Sequence, residues 1–262
     1  MVSQADIEQF RAANSQLSKL VRAALEAFFG SLDLSKPENA RDALLEFMPV
    51  LTAQYGDVAA TLAAEYYDEM RAASGAAGRF RALTTTGVPA DAVAAKVRYL
   101  AGHLWTPEPA AMLGGLLTAA DKYVKQPGRD TIAKNAKREG VSYARVPQGA
   151  KTCAFCLVLA SRDAVYHSKK SAGDLGRGVG DRFHGDCDCA VVRIAKPSDY
   201  PSDYLPDGHY EMYSDAAKDD GPEVRAFLDS LPADDKNRQL KAAVFSMRRL
   251  HPDVVRDGIH SH

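Results

Sequence analysis

All four cysteines of this 262-residue chain fall between residues 153 and 189, and no other feature constrains the fold as much. They form Cys153-x-x-Cys156, followed by His184-x-x-Cys187-x-Cys189. A Cys-x-x-Cys turn sets two sulfurs on one side of a tight loop, at the spacing one tetrahedral ion requires. In an extended segment, side chains two apart share a face, so Cys187 and Cys189 would both face the metal, with Asp188 turned away. Zinc accepts four thiolates, or three with an imidazole. Five residues therefore compete for four positions. We favour the four cysteines, with His184 donating from behind them or replacing one; Cys153, Cys156 and His184 with either later cysteine is the other set. Two disulfides, a redox pair and ordinary buried thiols are the competing readings. No thioredoxin-like βαβ pattern surrounds Cys153, which counts against the redox pair. Four protein ligands suit one structural Zn2+ ion better than a catalytic one, which keeps a position open. Residues 141–195 hold few large apolar groups, so a metal would supply folding energy that a thin core lacks.

The region before the cysteines reads as helical. Ser3 and Asp6 resemble a capping pair, and Ile7, Phe10, Asn14, Leu17, Val21, Ala24 and Phe28 follow in steps of three and four. Leu20, Leu25 and Phe29 widen that stripe, Asn14 is placed to fix its register, and Gly30 ends it. A second helix starts near Ser35 and Pro37 with Leu44, Phe47, Met48 and Leu51 on its apolar face. Pro49 is expected to kink or divide it and Gly56 to break or weaken it. Val58, Leu62, Tyr66 and Met70 carry the period to Ala73, and residues 74–78 interrupt it. A third helix after Pro89 carries Val93, Val97, Leu100 and Leu104. After Pro107 and Pro109 comes one with Met112, Leu116 and Tyr123, ended by Pro127-Gly128, and a short one over 129–139 closes at Gly140.

Beyond Gly140 the period changes. Residues 142–146, 164–167 and 189–194 read as strands, and the glycine-rich stretch 168–181 as a loop. An acidic connector follows Lys196, with the near repeat Ser198-Asp199-Tyr200 and Ser202-Asp203-Tyr204. Helices are expected over 222–231 and 235–250. The fold class is a mainly α N-terminal region, then a small α+β zinc-binding module, then a helical C-terminal tail. The divisions are 1–140 as a helical arm or bundle, 141–196 as the module, and 197–262 as the acidic connector and helices.

The net charge of −1 supplies no global drive toward nucleic acid or a membrane. No apolar run reaches the roughly 20 residues of a membrane span, and the polar MVSQADIEQF start lacks a secretory pattern. A reducing cytoplasm is the expected folding compartment, where clustered cysteines are metal ligands more often than disulfides. Locally the charge is uneven. Lys122, Lys125, Arg129, Lys134, Lys137, Arg138, Arg145 and Lys151 face only Asp130 and Glu139, whereas between Asp199 and Asp235 eleven acids face Lys218 and Arg225. Two solvated faces account for this; a basic patch against DNA is the functional alternative. Tyr200, Tyr204, Tyr210 and Tyr213 recur through the acidic stretch, as partner anchors or as local packing.

The stretch from Ala144 to Tyr166, ARVPQGAKTCAFCLVLASRDAVY, resembles the defining block of MuF-like minor head proteins of tailed bacteriophages. Phe183-His-Gly-Asp-Cys-Asp-Cys resembles its His-x-x-Cys-x-Cys ending, with Asp188 where the family commonly has a basic residue. The resemblance implies a low-copy virion protein in the capsid interior near the portal, made in the host cytoplasm and acting in head assembly or DNA delivery. Its implied partners are the portal protein and the capsid interior, with packaged DNA as a further candidate.

Enzyme motifs are missing where they would have to be. The only His-x-Glu, His209-Tyr-Glu211, follows the cysteines instead of preceding them as a zinc deaminase needs. No His-Glu-x-x-His, Gly-x-Ser-x-Gly or phosphate-binding loop occurs. Cys156 with His184 or His167 as base is a nucleophile on paper, but metal binding would consume the thiolate. The alternative class is a metal-dependent nuclease or other effector enzyme injected with phage DNA, using His184, His167 and Asp186. The expectation is a non-enzymatic structural protein.

Overall fold

The computed structural model describes residues 4–147, 151–162, 189–201 and 205–256. The chain is mainly helical: α1 (Gln4–Gly30), α2 (Pro37–Ala73), α3 (Ala90–Leu100) and α4 (Met112–Glu139) precede the cysteines. Then come β1 (Ser142–Val146), β2 (Thr152–Cys153), α5 (Ala154–Ala160), β3 (Ala190–Ile194), α6 (Pro206–Lys218), α7 (Pro222–Ser230), α8 (Arg238–Leu250) and β4 (Val255–Arg256).

The long helices pack on one another, and small residues set how closely. α2 and α4 bury Ala59, Ala60, Ala63, Ala119, Ala120 and Ala136. A Cβ built at Gly128 would stand 3.0 Å from the Ala59 carbonyl, and one at Gly56 would stand 3.2 Å from the Pro127 ring. This contact corrects the expected helix end at Pro127-Gly128 and the break weighed at Gly56, and α2 is not divided at Pro49. α2 runs unbroken through Pro49 and Gly56, and α4 through Pro127 and Gly128. Proline costs a helix one hydrogen bond. Here its ring fills the notch at Gly56, and the Thr85 hydroxyl donates to the Pro127 carbonyl at 2.8 Å. Tertiary packing overrides the local preference.

One further expectation changes. In α1 the buried line is Leu17, Val21, Leu25 and Phe29, while Leu20 is half exposed. The Asn14 amide donates 2.8 Å back to the Phe10 carbonyl of its own helix. Gly140 behaves as expected: at φ 79° it caps α4, with the Val141 amide donating to Ala136 and its own to Lys137.

Residues 79–89 cross the helices as an extended strap. The Asn135 side chain accepts the Leu83 amide at 3.0 Å and donates to the Leu83 carbonyl at 2.8 Å. Asp68 accepts the Ala82 amide at 2.8 Å. These side chains satisfy strap backbone that has no sheet to pair with.

β1 and β3 pair antiparallel, from Ser142 opposite Ile194 to Val146 opposite Ala190. Their apolar side chains join one cluster with Ile7, Tyr66, Tyr67, Met70, Ile132 and Ala136 from α1, α2 and α4. The sparse apolar content of 141–195 is therefore supplemented by the helices. The C-terminal expectations hold for α7 and α8, but α6 inside the acidic connector was not foreseen. Its signals are Pro206 in the first turn and Lys218 in the last.

Candidate metal centre

Val146 is the last paired residue of β1, and its partner Ala190 is the first of β3. Cys189 directly precedes Ala190, and the chain leaving Val146 leads to Cys153. Both halves of the cysteine pattern thus leave the same end of the ladder. Cys153 ends β2 and caps α5 in extended conformation, with its sulfur accepting the Cys156 amide at 3.3 Å. Sulfur bearing negative charge accepts such a bond well. Cys153 and Cys156 are 0% exposed and Cys189 2%, and all three belong to the one apolar cluster shared with the helices.

His184 and Cys187 lie outside the described residues, as do His167 and Asp186. Among the described residues, no three His, Cys, Asp or Glu side chains converge as a ligand group. The donors that are described fit zinc in kind: two buried thiols at the start of one short helix and a third immediately before β3, in apolar surroundings that leave soft sulfur the natural donor. The Cys156 sulfur is sealed from solvent, a poor position for a nucleophile that must meet a substrate.

Sequence reasoning missed the polar cluster beside the sheet. Glu139, at the end of α4, accepts hydrogen bonds from the Tyr67 hydroxyl at 2.6 Å, Arg71 Nε at 3.2 Å, and Arg193 Nε and Nη2 at 2.7 and 2.5 Å. Arg193, on β3, also donates through Nη1 to Asp199 at 3.3 Å and to the Ser74 hydroxyl at 3.2 Å. Burial by itself pushes the Glu139 carboxyl up. The hydrogen bonds from Arg193 and Tyr67, with the Arg193 and Arg71 charges, outweigh it and hold the group below the usual carboxylate range. Tyr67 moves the other way: burial and the Glu139 carboxylate push its hydroxyl above the ordinary tyrosine value. This cluster ties α2 and α4 to the cysteine-bearing sheet. A lone arginine, Arg193, in the otherwise apolar run Val191, Val192 and Ile194 is the sequence feature that could have pointed to it.

The basic stretch does not form one open face. Arg129 and Arg145 are buried, and Lys125 pairs with Asp121 at 2.7 Å. Arg138 stacks over Phe80 at 4.1 Å and donates to Asn135 at 2.6 Å. Lys134, Lys137 and Lys151 stay exposed. In the acidic stretch, Tyr200 packs against the sheet cluster and Tyr213 against α8, Tyr210 is exposed, and Tyr204 lies outside the described residues. No helix among the described residues is long and apolar enough to cross a membrane.

A helical body carrying a small sheet, with buried thiols at one end of that sheet, defines the class: a helix-dominated protein with a cysteine-bearing α+β element set into its core. The chain belongs to the VG15 protein family, which it matches over residues 1–216. It is also similar to the Gene 15 protein of Mycobacterium phage D29, at 27% identity over 171 residues, covering 55% of this chain and 61% of that protein. The chain thus spans less than two thirds of that relative's length. No solved structure matches the chain. The family is one of bacteriophage proteins. The narrower MuF-like resemblance rests on residues 144–166 and 183–189 alone. The family match covers α1 to α5, β1 to β3 and nearly all of α6; α7, α8 and β4 lie beyond it.

Proposed function

We propose that this protein is a structural, non-enzymatic minor head protein of a tailed phage, acting inside the head near the portal in assembly or DNA delivery. Its contacts are the portal and the capsid interior, with packaged DNA as a further contact. Four of Cys153, Cys156, His184, Cys187 and Cys189 hold one zinc ion that ties residues 151–156 to residues 184–189. The observation that carries this reading is the burial of Cys153, Cys156 and Cys189 in the one apolar cluster that the sheet shares with the helices. Membership in a phage protein family supports the setting.

Two measurements test it. Quantitative mass spectrometry of purified phage particles should find the chain in the head at low copy, and deletion of its gene should leave defective heads or particles that fail to deliver DNA. Full heads that infect normally without it overturn the role. Elemental analysis of the purified protein should give about one zinc per chain, lost in Cys153→Ser. Metal-free protein with its thiols paired as cystines overturns the metal site. Cleavage of DNA that requires added metal and disappears in a folded His184→Ala variant favours the nuclease alternative instead.

A further inference from the structure

The turn that leads from α2 into the extended strap has its carbonyls bonded to cations. Arg71 donates to the Ala77 and Gly78 carbonyls, Lys196 Nζ to the Ser74 carbonyl at 2.8 Å, and Arg138 to the Arg81 carbonyl. The amides of residues 77–81 are left over: among the described residues none of them donates a hydrogen bond. The Arg138 and Arg71 guanidiniums lie over the Phe80 ring at 4.1 and 5.0 Å, which sets this part of the strap against the end of α4. Arg79 and Arg81 flank Phe80 and are both exposed. On α4, Lys134 lies one turn before Lys137 and Arg138, so the three share an exposed flank. Lys134 also directly precedes Asn135, which holds Leu83 of the strap. Among the described residues, Arg79, Arg81, Lys134 and Lys137 make no ion pair. The neighbouring acids are engaged or outnumbered. Asp68 accepts the Ala82 amide, Glu139 is taken by Tyr67, Arg71 and Arg193, and Glu65 and Asp130 lie one turn back on α2 and α4.

We propose that this face, Arg79 and Arg81 on the strap with Lys134, Lys137 and Arg138 on α4, is where the protein meets the phosphate backbone of duplex DNA. The inference rests on the proposed contact with packaged DNA and locates it. Lys137 and Arg138 also complement the negative end of the α4 dipole. Arg79 and Arg81 stand outside any helix and gain nothing of that kind. The occupant follows from how the cations are presented. They are spread over two segments in water, so each adds little to the binding of one small anion. A polyanion differs, because every neutralised phosphate releases condensed counterions and the separate contributions add. The unused amides of residues 77–81 supply further donors of the kind that phosphate oxygens accept. Contacts to phosphate carry no base information, so the binding is indifferent to sequence, as contact with packaged DNA requires. The chain's net charge of −1 is no obstacle, since the acids gathered between Asp199 and Asp235 belong to other segments.

The test is a salt titration. Full-length protein is added to a fluorescent duplex of about 20 base pairs and mixed sequence, with anisotropy read between about 50 and 200 mM salt. Neutralised phosphates at the four unpaired cations give log K against log salt a slope of roughly −3.6, an affinity loss of about 150-fold across that range. Arg79→Ala with Arg81→Ala should weaken binding at least about tenfold at low salt and bring the slope to roughly −1.8. Lys134→Ala with Lys137→Ala should do the same, and it carries the test if circular dichroism shows the first pair unfolded. Lys19→Ala with Arg22→Ala, exposed cations on α1, should leave affinity and slope unchanged. No binding at low salt, an unchanged slope in both altered pairs, or an equal loss in the α1 pair overturns the face. Poly-glutamate that displaces the duplex as well as unlabelled DNA does assigns the face to an acidic protein and also overturns the proposal. Failure of the two readings is separable. A head protein that ignores duplex DNA strikes this face alone, and a DNA-binding chain absent from heads strikes the head role while the face stands.

Discussion

Glu139→Gln should cost this protein about 3 kcal/mol at neutral pH. Glu139 is 11% exposed and Arg193 2%, so neither can turn to water for a replacement partner. The wild-type carboxylate accepts four donated bonds, two of them from Arg193. A neutral amide keeps the shape but offers one acceptor oxygen, and its NH2 points donors at donors. Arg193 then retains only Asp199, at 3.3 Å, as a charged partner. Breaking a buried pair from one side typically costs about 3–5 kcal/mol, because the remaining charge stays desolvated; the surviving Asp199 contact puts this case at the low end. In a chain of this size about 3 kcal/mol corresponds to a fall of roughly 6–12 °C in Tm. The loss should depend on pH in a definite direction. The folded-state carboxyl lies below its unfolded value, so its contribution is complete above about pH 4.3 and fades as pH falls through the folded pKa. Urea unfolding at pH 7 and pH 3 should therefore show a large wild-type-minus-variant gap at the first and a smaller one at the second. Glu139→Gln with Arg193→Met should lose less than Glu139→Gln alone, since no stranded charge is left. A loss under about 1 kcal/mol at pH 7, or a gap undiminished at pH 3, would refute the argument that desolvated charge dominates.

Three other outcomes follow from packing and hydrogen bonding. Gly128→Val should cost about 1–3 kcal/mol by calorimetry, because its Cβ would meet the Ala59 carbonyl at 3.0 Å; Gly114→Ala in the same helix, with nothing within 4 Å, should stabilise by about 0.5–1 kcal/mol. If both changes behave alike, the close approach of α2 and α4 is not what excludes side chains at residue 128. Asn135→Ala should strand the Leu83 amide and carbonyl, cost about 1–3 kcal/mol and speed hydrogen exchange along residues 82–85; unchanged exchange there would show that Asn135 does not hold the strap. Gly140→Ala should cost about 1 kcal/mol, read from the urea midpoint, because φ 79° suits glycine alone; no loss would mean the helix end relaxes to another cap.

Local chemistry made much of the fold legible. The 3.6-residue period marked α1, α2, α3 and the first part of α4, and the glycine cap placed the end of the 129–139 segment, which is the last part of α4, at Glu139. Alternation with strand-forming residues marked β1, and residues 189–194 read as the strand that is β3. Cys153, Cys156 and Cys189 are buried in the apolar cluster that the sheet shares with the helices. Reading large side chains as the buried ones misplaced Val58, because in α2 the buried face is alanine-rich to admit α4; Leu20 in α1 is likewise half exposed. Charge along the sequence also did not reveal that Arg129 and Arg145 turn inward while Lys134, Lys137 and Lys151 stay exposed.

By itself the sequence determined most of the helices, the β1 and β3 strands and where several of these stop, but not α6, β2 or β4. Those outcomes depend on neighbours a few residues away: apolar period, proline in a first turn, glycine at a cap. Only the tertiary structure decided that α2 and α4 continue through proline and glycine, that Glu139 meets Arg193 and Tyr67, and that β4 reaches back to β2. Each of those rests on surfaces brought together from distant parts of the chain, where the free energy of the contact exceeds the local preference it overrides.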